Sequence, residues 1–77
     1  MKRIQVLGTG CAKCKTLFAN AEDAVRASGG AAQVEKVESL QEIMKFGVIT
    51  TPALVVDGKV QSVGRVLSAD EIAKLLV

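Results

Sequence analysis

The chain has 77 residues, 49% of them hydrophobic, with Phe18 and Phe46 as its aromatics, no His, and a formal net charge of +2. That length allows one domain, residues 1–77, with a modest aliphatic core, and the high apolar content without excess Gly or Pro excludes a disordered chain. The charge is too mild, and stacking residues too few, for a nucleic-acid binder.

Ile4 to Leu7 is a short apolar run ended by Gly8-Thr9-Gly10, which suits a buried strand (β1) feeding a turn. From Cys11 the period changes. Cys14, Leu17, Phe18, Ala21 and Val25 fall at helical spacing (α1), and Gly29-Gly30 ends the segment. Ala31 to Val37 reads as a second strand (β2), with Val34 and Val37 among charged neighbours.

Ser39-Leu40-Gln41-Glu42 has the pattern of a capping box, in which Ser39 caps a helical N–H and the Glu42 side chain reaches back. It opens a short helix (α2) whose apolar face is Leu40, Ile43 and Met44, with Gly47 as the stop and Met44 assigned to the core. Ala53 to Val56 (β3) and Lys59 to Val63 (β4) flank Asp57-Gly58, a strong hairpin signal. A second capping box, Ser68-Ala69-Asp70-Glu71, opens the last helix (α3); Leu67 and Ile72 are placed as its hydrophobic staple, and Leu75 and Leu76 supply its buried face. The order β1-α1-β2-α2-β3-β4-α3 predicts an α/β fold. In it a parallel β1-α1-β2 unit and an antiparallel hairpin share a four-stranded mixed sheet flanked by three helices.

Met1-Lys2-Arg3 followed by Ile4-Gln5-Val6-Leu7 imitates the start of a signal peptide, but the apolar stretch is shorter than the roughly 7–15 residues required. No segment approaches the ~20 apolar residues of a membrane span. A cytoplasmic chain without membrane contact is the expectation, with a monomer as the default.

The only two cysteines stand in Cys11-Ala12-Lys13-Cys14, at the predicted start of α1. The loop they close is too small to staple a scaffold, so the pair reads as a site. The exposed N–H groups and dipole of a helix start stabilise a thiolate, which is the reactive form. Lys13 and Lys15 add positive charge, and no acid precedes Glu22, whereas Lys2 and Arg3 read as solvated surface charge.

With those residues in place the chain resembles a minimal thioredoxin-fold protein, similar to the small bacterial and archaeal thioredoxin-like redox-active disulfide proteins and closer in topology to glutaredoxin. The resemblance rests on the strand followed by C-x-x-C at a helix start, on Thr50-Thr51-Pro52 before a strand, on the Asp57-Gly58 hairpin, and on Val63-Gly64 leading to the final helix. It implies a cis peptide bond at Pro52, facing the cysteines, and a Thr51 backbone available to a substrate strand. Gly10, Lys13, Thr51 and Pro52 are accordingly the residues expected to tune the thiol or touch substrate. Four positions depart from the thioredoxin pattern. Gly10 stands for a Trp, Ala12-Lys13 for Gly-Pro, and Gln5 for a buried Asp, which leaves proton removal from Cys14 to water or another group.

The chemistry these residues suit is thiol–disulfide exchange, in which Cys11 attacks a substrate disulfide and Cys14 resolves the mixed disulfide. No cofactor is expected. The implied partners are a protein disulfide or small-thiol substrate and a reductase or thiol donor; Lys13, Lys15 and Thr51 are candidate contacts should that donor be glutathione. Two other uses stay open. Soft-metal transfer of the Cu(I) type suits two thiolates, although Thr9 stands where copper-chaperone domains carry Met, and those domains run βαββαβ. A thioredoxin-fold binding module whose cysteines do little is the third.

Overall fold

The computed structural model describes residues 2–10, 12–30 and 32–76. Its elements are β1 (Lys2–Leu7), α1 (Ala12–Ala27), β2 (Ala32–Val37), α2 (Leu40–Lys45), β3 (Ala53–Val56), β4 (Lys59–Val63) and α3 (Ala69–Lys74). The strands form one mixed sheet in the order β2-β1-β3-β4. β1 runs parallel to β2 and antiparallel to β3, and β3 is antiparallel to β4.

Strand alternation sorts the core into two layers. Ile4 and Val6 of β1 and Leu54 and Val56 of β3 point to one face, where they pack with Leu17, Ala21 and Ala24 of α1 and with Leu67 and Ile72. Leu7, Ala53 and Val55 point to the other, with Ile43 of α2 and Val48. The predicted α1 stripe shifts slightly: Ala24 is fully buried, whereas Phe18 and Val25 pack half-buried at its margin. Leu75 and Leu76 likewise reach the core only in part. The Asn20 side-chain amide donates to the Leu67 carbonyl at 2.9 Å and ties α1 to the entry of α3.

Two expectations for α2 are corrected. Ser39 occupies the N-cap position but its side chain makes no capping hydrogen bond, and the Glu42 carboxylate instead accepts from the Lys45 ammonium at 3.3 Å. Leu40 and Met44 are 63% and 68% exposed, so Met44 is not a core residue. A six-residue helix lying on the sheet buries one line of side chains, and Ile43 occupies it. At α3 both halves of the capping box form: Glu71 N–H donates to Ser68 Oγ at 3.1 Å, and Ser68 N–H donates to Glu71 Oε1 at 3.0 Å.

The β3–β4 turn places Asp57 and Gly58 at φ +50° and +82°, the conformation of a two-residue primed turn. β4 also carries an irregularity opposite Leu54 and Val55, which the hairpin signal did not announce. Asp57 ties the turn to the first strand, because its carboxylate accepts from Arg3 N–H at 2.9 Å and sits 3.5 Å from Lys2 Nζ.

The Arg3 N–H, and after it Lys2, hold the Asp57 carboxyl below its ordinary range; the Ser68 N–H and hydroxyl do the same for Glu71. A carboxylate depressed in the folded state contributes stability above the ordinary carboxylate range and loses it as pH falls through the folded value. The thermal midpoint is therefore expected to drop on acidification below about pH 4. Calorimetry of Asp57→Asn combined with Glu71→Gln checks this, since both variants keep an acceptor oxygen and should flatten the acid limb.

Candidate active site

Cys14 is the third residue of α1 and is 5% exposed. Its seat is made by Gly8, which follows β1 and continues the sheet by donating its N–H to the Val37 carbonyl at 3.0 Å. A Cβ built on Gly8 would lie 2.2 Å from Cys14 Sγ, 3.0 Å from Cys14 Cβ and 3.9 Å from Thr51 Cβ. The sulfur thus occupies the space a side chain at position 8 would fill.

The same point brings in the Thr51–Pro52 segment. Thr51 is half-buried and Pro52 fully buried, the peptide bond between them is cis, and the Pro52 carbonyl accepts from Gly64 N–H at 2.7 Å. Cys14, Gly8 and Thr51–Pro52 therefore meet where β1, α1 and the entry to β3 converge. Cys11, the expected attacking residue, lies outside the described residues. Lys13 is exposed in the first turn of α1, which contains no acidic residue to oppose a thiolate.

Gly10 has φ +92°, in the left-handed region that L side chains avoid. A Trp at this position would be strained, so the departure from the thioredoxin pattern follows from how this loop turns.

A cavity of about 70 Å³ opens beside Cys14, and Gly8, Gly10, Lys15, Lys36 and Glu38 share its wall with the cysteine. Sequence reading missed three of these. Gly8 read only as a turn residue, Lys36 only as one of the charged neighbours within β2, and Glu38 carried no assignment. The parallel pairing of Leu7 with Val37 brings them in. Val34 and Lys36 alternate onto the α1 face of the sheet, Glu38 follows at the end of β2 between this cavity and the hollow on the other face, and Lys36 Nζ lies 4.7 Å from the Phe18 ring centroid, a cation–π distance. Gln5 belongs to the opposite face, half-buried in a hollow shared with Arg3, Glu35, Glu42 and Phe46. Among the described residues no cluster of three or more His, Cys, Asp or Glu side chains is arranged to hold a metal ion.

A central mixed sheet, a cysteine buried at the first turn of the helix after β1, and a cis-proline segment against it define a thioredoxin-fold redox protein. The chain belongs to the thioredoxin family: the family model described as "Thioredoxin domain" matches residues 2–77. Thiol–disulfide redox function is what membership of that family implies. It is 43% identical over 76 residues to a protein named thioredoxin from Methanothermobacter thermautotrophicus (strain Delta H), covering 99% of both chains. A second thioredoxin, from Methanocaldococcus jannaschii, is 34% identical over 73 residues, covering 95% of this chain and 84% of the relative. A solved structure described as "Structure of a malarial protein" superposes with a TM-score of 0.77, covering 99% of this chain and 93% of the other. At 13% identity that likeness concerns the fold alone. Among the described residues no helix is long and apolar enough to cross a membrane.

Proposed function

We propose that this protein is a thiol–disulfide oxidoreductase in which Cys11 attacks a disulfide of a protein or small thiol and Cys14 resolves the mixed disulfide. The observation that carries the reading is the seat of Cys14, buried against Gly8 with Thr51–Pro52 alongside. A buried second thiol is protected from outside reagents and lies three residues after position 11 in the sequence, so its natural electrophile is the mixed disulfide formed there.

Lys13, and the helix start with no acid in its first turn, support a thiolate at position 11. Gly10 leaves the approach open. Thr51 offers its backbone to an extended substrate segment. Soft-metal transfer has less support, because the order β1-α1-β2-α2-β3-β4-α3 differs from the βαββαβ of copper-chaperone domains and the family is one of redox function.

Trapping tests the assignment of roles. Cys14→Ser is expected to accumulate mixed disulfides with protein or small-thiol partners, detectable by mass spectrometry without reductant, whereas Cys11→Ser is expected to trap almost none. The reverse pattern, free trapping by Cys11→Ser and none by Cys14→Ser, would sink the assignment.

A further inference from the structure

Resolution requires Cys14 to lose a proton, and burial disfavours the charged form of a thiol. Gln5 cannot accept that proton: it is an amide, on the face of the sheet away from Cys14. The Cys14 cavity does hold a carboxylate. Glu38, exposed just after β2, lines this cavity with Cys14 and also borders the hollow that holds Gln5. Its Oε2 would lie 3.8 Å from a Cβ built on Gly10, so it borders the loop just before the cysteine pair. The other charged groups on the cavity wall are Lys15 of α1 and Lys36 of β2. At about 70 Å³ the space exceeds the roughly 10–15 Å³ that one water needs, and its polar wall offers water partners.

We infer that Glu38 is the proton-transfer residue for Cys14, accepting the thiol proton through water in this cavity as resolution proceeds. The inference rests on the exchange reading above and adds a residue to it. The step balances. The Cys14 proton passes to the Glu38 carboxylate, Cys14 Sγ bonds to Cys11 Sγ, and the bond from Cys11 to the substrate sulfur breaks. The departing thiolate carries the electron pair and takes up a proton from Glu38 or solvent. In the opposite direction Glu38 returns the proton to Cys14 as the disulfide opens.

Stopped-flow reaction of the reduced full-length protein with 4,4′-dithiodipyridine separates the steps, and the neutral reagent keeps encounter insensitive to charge at position 38. The first equivalent of thiopyridone reports attack by Cys11, and the second reports closure by Cys14. In Glu38→Gln the first phase is expected to match wild type, while the second slows about a hundredfold near pH 6, at the low end of proton-transfer assistance. The deficit should shrink as pH rises toward about 9, where hydroxide takes over removal of the thiol proton. An unchanged second phase, a deficit equal at every pH, or equal slowing of both phases would overturn the role of Glu38. Release of only one equivalent by the wild-type protein would instead refute the exchange reading itself.

Discussion

Gly8→Ala is expected to nearly abolish intramolecular closure of the cysteine pair and to destabilise the fold. The added methyl would sit 2.2 Å from Cys14 Sγ, far inside van der Waals contact, and 3.0 Å from Cys14 Cβ. Gly8 cannot move away easily, because its N–H is bonded to the Val37 carbonyl and Leu7 before it is fully buried. The sulfur must therefore shift, or the first turn of α1 must lift from the sheet.

Overpacking of this kind costs about 1–3 kcal/mol. Misplacing a reacting atom by about 1 Å can cost about a hundredfold in rate. Urea unfolding and the two-phase thiopyridone assay measure the two consequences separately. Wild-type closure kinetics in Gly8→Ala would show that the sulfur is not seated on this glycine.

Leu17→Ala is the largest stability change expected within α1. Leu17 is 0% exposed, one turn after Cys14, and packs among Ile4, Val6 and Leu54 of the sheet and Ile72 of α3. Truncating a buried leucine costs about 2–5 kcal/mol, depending on how far the cavity collapses. A 77-residue domain holds only about 4–12 kcal/mol in total. The variant should thus lose a large part of its stability, and its denaturant midpoint should fall with little change in slope. The same cavity loosens the turn that carries Cys14, so closure should slow as the variant approaches its unfolding midpoint. A loss below about 1 kcal/mol would mean that Leu17 is not a central contact between helix and sheet.

Much of this fold was legible because local and tertiary signals agree. Asp57-Gly58 adopts the backbone its residues favour, and the Ser68 capping box forms with Leu67 and Ile72 buried in one cluster beside it. The same Ser-x-x-Glu pattern at Ser39 misled. Before Ser68 the chain has buried Leu67, but before Ser39 it has Glu38, which borders the Cys14 cavity and leaves Ile43 without an apolar partner to staple. Exposure of Leu40 and Met44 has the same origin, since a short helix anchored by Ile43 alone has one side to bury.

At the site, the C-x-x-C spacing and the Thr-Pro segment were readable as local patterns. The roles of Gly8 and Glu38 were not. Gly8 matters through the sulfur that fills its missing side chain, and Glu38 reaches the site through the register of two parallel strands 30 residues apart in the pairing of Leu7 with Val37. Neither relation leaves a periodicity in the sequence.

The most direct test of the account is a redox titration of the intact protein against dithiothreitol or glutathione couples, followed by alkylation and mass analysis. Thiol–disulfide exchange at this pair requires reversible closure of one intramolecular Cys11–Cys14 bond, following a two-electron curve with about 30 mV per tenfold change in the ratio of the two forms. A pair that stays reduced across the titration, or that closes only between molecules, would contradict it.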